Sequence, residues 1–250
     1  MLTEKNLKLT PDLILLDDFA STSSNPLSRL YEKPVKTIIA NNDVSQVNQA
    51  FRAIDEATSS GYYVVCNFKY ELGEFFQNID NNKIPKNLFM AWVFKRCKKL
   101  SFKQTSDWLN YKKQEEGDIK SNSGVCDLFL KNDEDSFSKS LNEIKEKIKE
   151  GLTYQVNYTF RIKGKVYGSP LGLYLRLRER QPSSFGAFIR FKTSQILSFS
   201  PEYFLGNKNG FLTAKPMKGT LATKGFTSSD LKNDEKNQAE NLMIVDLLRN

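Results

Sequence analysis

Three apolar runs in the second half of the chain are joined by connections that leave little choice of sheet geometry. Residues 186–191 (Gly186-Ala187-Phe188-Ile189-Arg190-Phe191), 195–200 and 210–214 read as strands, with polar turns at 192–194 and 207–209. A parallel crossover needs about a dozen residues or more, longer than either connection here, three residues at 192–194 and nine at 201–209. These runs are therefore expected to form an antiparallel meander. Further strands are predicted at 13–16, 35–40, 62–66, 88–94 and 154–160, with 100–102 as a partner for 88–94. The 154–160 assignment rests on alternation, with Tyr154, Val156 and Tyr158 on one side and Gln155, Asn157 and Thr159 on the other.

Helical spacing separates these strands. A helix capped by Asn42 or Asp43 places Val44, Val47, Phe51 and Ile54 on one face and stops at Ser59-Ser60-Gly61. Another, capped by Asp135 or Ser136, carries Phe137, Leu141, Ile144 and Ile148 as one stripe and ends at Gly151. Pro170 opens a short helix through 177, and 232–249 reads as the last. Helices mixed with hairpin-linked strands predict an α+β fold rather than a doubly wound parallel sheet. Residues 107–118 and 132–135 read as polar breaks, which divides the chain into 1–130 and 131–250.

Composition narrows the chemistry. The 250 residues include no histidine, so Ser-His-Asp triads, Cys-His dyads and His-ligated metals are excluded. Acid–base work must run on carboxylates, lysines, tyrosines or cysteines. Cys66, Cys97 and Cys126 are odd in number and far apart, which argues against a disulfide framework or zinc site and for a reducing, cytoplasmic setting. The apolar run 13–16 is fenced by Asp12, Asp17 and Asp18, so it reads as a strand rather than a signal peptide. No window approaches the roughly 18 apolar residues of a membrane span, and no membrane partner is expected. The net charge of +8 is uneven: 83–103 holds seven basic residues and no acidic one. Such a stretch could bind nucleic acid. However, Phe89, Trp92, Phe94 and Phe102 are spaced there as buried strand faces, so a nucleic-acid module is not the expectation.

A few residues stand where chemistry could occur. Lys218 follows a strand within Lys215-Pro216-Met217-Lys218-Gly219-Thr220. Pro216 stiffens the approach, and Gly219 and Thr220 offer backbone N–H groups and a hydroxyl suited to an anionic oxygen. A lysine beside an anion site can hold charge, or act as a nucleophile if its pKa falls. Glu202, in Ser200-Pro201-Glu202, reads as a turn carboxylate. Glu240 and Asp246 lie on the last helix, six apart and facing different ways. Asp246 can pair with Arg249, while Glu240 sits where an inward carboxylate would need a partner or a metal.

Four blocks recur in a familiar order: Tyr154-Gln155-Val156-Asn157; Ser198-Phe199-Ser200-Pro201-Glu202; Lys215-Pro216-Met217-Lys218-Gly219-Thr220; and Ala239-Glu240-Asn241-Leu242-Met243-Ile244-Val245-Asp246-Leu247-Leu248-Arg249-Asn250. Together they resemble the chorismate-utilising enzymes, most closely the aminodeoxychorismate synthase component I branch. A weaker resemblance runs from Gly61-Tyr62-Tyr63 through Tyr70-Glu71-Leu72. The resemblance implies the anthranilate synthase component I-like fold, two antiparallel sheets packed face to face with helices outside. Aminodeoxychorismate synthases have lysine before Gly-Thr, where anthranilate synthases typically have alanine. It also implies Lys218 as nucleophile, Glu202 as its acid–base partner, Gly219 and Thr220 as substrate contacts, and Glu240 as a ligand of Mg2+, with Asp246 supporting. Chorismate would be the substrate and a separate glutamine amidotransferase subunit the source of ammonia, in a route to 4-aminobenzoate and folate. Family members run on well past this point, through a histidine-containing block and a second metal-binding glutamate. The resemblance therefore implies a truncated chain with little or no synthase activity alone. The alternatives within the family are anthranilate or isochorismate synthase.

Overall fold

The computed structural model describes residues 12–77, 79, 85–117, 122–130, 132–217, 225 and 227–249. The elements begin with β1 (Leu13–Asp17), β2 (Ser28–Glu32), β3 (Lys36–Asn41), α1 (Val44–Ser59), β4 (Tyr63–Phe68), α2 (Glu71–Phe76), β5 (Asn87–Phe94) and β6 (Lys98–Leu100). They continue with α3 (Phe102–Glu115), β7 (Gly124–Leu130), α4 (Glu134–Lys149), β8 (Ile162–Tyr167) and α5 (Pro170–Arg180). The last are β9 (Phe185–Phe191), β10 (Ser194–Ser200), β11 (Tyr203–Lys208), β12 (Phe211–Lys215), α6 (Ser228–Asn233) and α7 (Glu235–Arg249). They form two compact units: the described residues up to Thr105 together with those from Gln181 onward, and Ser106–Arg180.

The first unit is built on two antiparallel sheets. One has five strands in the order β10-β9-β1-β2-β6, the other three in the order β3-β5-β4. Strand β5 is the hinge of the packing because both of its faces are covered. Phe89, Ala91 and Val93 turn to the side where Val47 and Ala50 of α1 and Leu72 of α2 are buried. Trp92 and Phe94 turn the other way, with Val65 of β4, to meet Ile14, Tyr31 and Ile189 of the five-stranded sheet. Period-2 alternation thus gives a helix layer, a sheet and a second sheet packed face to face. In α1 the Asp43 carboxylate accepts the Gln46 N–H at 2.8 Å. The chain leaves that helix through Gly61, at φ +81, where a left-handed residue ends a helix with least strain.

Several sequence expectations are corrected here. Residues 98–100, not 100–102, form a strand, and it pairs with β2 rather than with β5. Both edges of β5 are already occupied, by β3 and β4. The meander stops after β10. Residues 211–215 pair with β11, a strand the pattern did not reveal, and make a separate hairpin turned by Asn209 and Gly210 at φ 54 and 83. The last helical stretch is broken at Asp234, whose carboxylate accepts the Asn237 N–H at 2.8 Å and caps α7.

The second unit holds the pair β7–β8 and helices α4 and α5. Asp133, rather than Asp135 or Ser136, caps α4 by accepting the Ser136 N–H at 2.8 Å. The predicted strand at 154–160 is irregular backbone, and β8 begins at Ile162 instead. Its aromatic side chains have gone elsewhere: Phe137 meets Tyr158 at 5.5 Å and Phe160 at 6.1 Å. The 107–118 polar break is mostly helix, because α3 runs to Glu115 and its Lys112 and Glu115 pair at 2.6 Å.

Candidate active site

The two-stranded hairpin fixes the geometry of the candidate site. Tyr203 stands opposite Lys215 in the β11–β12 register, so the residue before β11 and the residues after β12 leave the hairpin side by side. Glu202 is the first of these and Met217 one of the second. The Glu202 carboxylate accepts the Met217 backbone N–H through Oε1 at 3.1 Å. Its Oε2 makes no hydrogen bond among the described residues, so one carboxylate oxygen stays available for proton transfer.

A small scaffold holds Glu202 from below. The Ser200 hydroxyl accepts the Glu202 N–H at 3.3 Å and donates to the Glu202 carbonyl at 3.2 Å. This is the local turn that a serine two residues upstream can make. The Ser183 hydroxyl donates in turn to the Ser200 carbonyl and accepts the Phe185 N–H at 3.1 Å. Phe185 packs on Tyr203 at 5.5 Å between ring centres, and the Lys215 ammonium lies 5.7 Å from the Tyr203 ring centre. Sequence reasoning did not single out Ser183, Ser200, Tyr203 or Lys215 as a supporting set. The Ser-Pro-Glu spacing was the available signal for the turn, while Ser183 comes close only through sheet pairing.

Lys218, Gly219 and Thr220 lie outside the described residues. The structure therefore brings together Glu202 and the stretch that leads to them, ending at Met217. Glu240 and Asp246 lie on α7, Glu240 half-buried and Asp246 exposed, and the main packing partner of α7 is α6. Among the described residues no group of three or more Asp, Glu or Cys side chains is gathered to hold a metal. Cys66, Cys97 and Cys126 are free thiols, and no described helix is long and apolar enough to cross a membrane.

Residues 14–250 match the chorismate binding enzyme family. A chloroplastic aminodeoxychorismate synthase of Arabidopsis thaliana is 49% identical over 113 residues, which cover 41% of this chain and 12% of that protein. Aminodeoxychorismate synthase component 1 of Escherichia coli K12 is 34% identical over 122 residues, covering 46% of this chain and 27% of that one. These alignments span well under a third of either relative. The crystal structure of anthranilate synthase component I from Streptococcus pneumoniae TIGR4 has a TM-score of 0.68 over the whole of this chain and 62% of its own. At 18% identity that likeness is one of fold, and it agrees with the paired antiparallel sheets and outer helices described above. With nearly its whole length matched, the chain belongs to the chorismate binding enzyme family.

Proposed function

We propose that the chain carries the lysine–glutamate side of an aminodeoxychorismate synthase, acting on chorismate and ammonia to make 4-amino-4-deoxychorismate for 4-aminobenzoate and folate. The observation that carries this reading is the Glu202–Met217 hydrogen bond at 3.1 Å, which ties the proposed acid–base carboxylate to the residue next to Lys218. In the first step the Lys218 amine bonds to ring C2 while the C4–O bond breaks. Glu202 gives the leaving hydroxyl its proton. In the second, ammonia bonds to C4 as the C2–N bond to Lys218 breaks. Gly219 and Thr220 hold a substrate carboxylate, and Asp246 plays a supporting part on α7. The ammonia comes from a glutamine amidotransferase subunit, a reading supported by the "component 1" naming of the bacterial relatives.

Magnesium fits the donor chemistry in one limited way. The candidate ligand is a single half-buried carboxylate, Glu240, with no histidine in the chain and no described acidic cluster. An ion held there would take its remaining ligands from substrate oxygens and water, as Mg2+ commonly does. It would supply charge to bind and polarise the substrate carboxylate.

Product analysis tests the reading. The chain is incubated with chorismate, Mg2+ and ammonium, alone and with the remaining length of a bacterial component 1 supplied in trans. Formation of 4-amino-4-deoxychorismate that disappears with Lys218→Ala is the expected result. Anthranilate as the product would replace this reading with its family alternative. Undiminished product from Lys218→Ala would remove the nucleophile.

A further inference from the structure

We propose that the cavity between the two sheets of the first unit is a binding site for a small planar monocarboxylate, separate from the Glu202 site. The cavity measures about 240 Å3. For comparison, a cavity of about 150 Å3 lined by apolar side chains can hold a benzene molecule. Its wall is formed by Met90 and Trp92 of β5, by Ile189 and Phe191 of β9, and by Ile196 of β10. Trp92 and Phe191 meet edge to face, with ring centres 5.6 Å apart. A flat apolar ring is the shape that such walls accommodate.

The mouth is chemically different. Asn67, Lys69, Asn87 and Ser194 line it. None of these four side chains makes a hydrogen bond or an ion pair among the described residues. The Lys69 backbone is nonetheless anchored: its N–H donates to the Leu88 carbonyl at 2.9 Å, and its carbonyl accepts the Leu72 N–H at 3.1 Å. An ammonium on a fixed backbone, flanked by two amides that can donate, is complementary to a single carboxylate. The wall carries a further unmet group, since the buried Trp92 indole N–H has no acceptor among the described residues. The ligand class follows from both ends: a ring for the chamber and a single carboxylate for Lys69. The residues involved lie on the ends of β5 and β9 away from Glu202, and the site does not depend on the proposed synthase chemistry.

Benzoate and its uncharged counterpart benzamide are the probes, measured by equilibrium dialysis with the whole chain. Trp92 fluorescence in a Trp108→Phe background gives a local readout. Saturable benzoate binding is expected. Benzamide should bind about fivefold more weakly, near the upper end for a solvent-accessible ion pair. Lys69→Met should remove that preference without abolishing benzamide binding. Ser194→Phe, which places a ring across the mouth, should block both probes. Lys69 and Ser194 are exposed, so neither change threatens the fold. The proposal is overturned if benzoate shows no saturable binding, if benzamide binds equally well, or if the two variants leave binding unaltered.

Discussion

Trp92 offers a sharp test of the packing between the two sheets. It is 1% exposed, and its indole N–H is buried without an acceptor among the described residues. Truncating a buried aromatic to alanine ordinarily costs about 3–5 kcal/mol. A buried donor without a partner costs about 1–3 kcal/mol. Trp92→Phe separates these terms. It keeps a six-membered ring against Phe191 while deleting the N–H. The lost apolar area of roughly 40 Å2 costs about 1 kcal/mol at ~25 cal/mol/Å2, and the small void costs about 1 kcal/mol more. Relief of the orphaned donor offsets about the same amount, so the net change is expected within about 1 kcal/mol of zero. Phe94→Ala is the control: this side chain is 0% exposed, two residues further along the same face, with no polar atom to relieve. It should cost the full ~3–5 kcal/mol. Urea unfolding followed by far-ultraviolet circular dichroism measures both through the shift in midpoint. A loss of about 3 kcal/mol or more in Trp92→Phe would mean that the indole N–H has an acceptor, and the reasoning would fail.

Other expectations are more local. Glu202→Ala should speed hydrogen exchange at the Met217 amide about fivefold or more, matching the loss of roughly 1 kcal/mol in an ordinary hydrogen bond, while Glu202→Gln retains an acceptor and the slow exchange; equal exchange in all three proteins would dismiss the tether. Burial pushes the Cys66 thiol up from 9.0 to about 11. At pH 8 the exposed Cys126 should therefore react with iodoacetamide well before Cys66, and faster labelling of Cys66 would contradict its burial. The same shift has a stability consequence. The folded state holds its thiol proton where the unfolded state has lost it, so the contribution is full below pH 9 and is lost as pH rises toward about 11. Burial likewise raises the Tyr31 phenol above its ordinary 10.0, helped by its hydrogen bond with Cys97, so its contribution is full below pH 10.0 and is lost as pH rises beyond it, which favours alkaline unfolding. Asp133→Ala should fray the first turn of α4, seen as faster amide exchange at Ser136, whereas Asp133→Asn keeps the cap.

What could be read from the sequence was set by local physics. The β9–β10 hairpin announces itself through its short polar turn, α1 through Asp43 and its apolar stripe, and β5 through an unbroken apolar run buried on both faces. Where the sequence misled, a long-range partner decided. Tyr154, Val156 and Tyr158 alternate as a strand should, yet β7 pairs with 162–167, and the aromatic rings close on Phe137. The start of α3 was legible but passed over: Ser101 and Gln104 form a reciprocal cap, the Gln104 side chain accepting the Ser101 N–H at 2.8 Å and the Ser101 hydroxyl accepting the Gln104 N–H at 3.2 Å. Asn209-Gly210 was an equally plain hairpin signal, and it would have revealed β11. For the candidate site, Glu202 and the 215–220 block were legible as motifs. Their adjacency was not, because only the pairing of Tyr203 with Lys215 creates it.

The position of β1 also has a consequence for how the protein is made. β1 lies between β2 and β9, and Ile14 stands opposite Ile189, about 175 positions later in the chain. At translation speeds of about 5–20 residues per second, the first strand waits on the order of 10–35 seconds for that neighbour. During that interval β1 has a strand partner on its β2 side alone, and the open edge can pair with other chains. Synthesis in a cell with little chaperone capacity should therefore send newly made protein into aggregates, and slowing growth or adding holding chaperones should recover it.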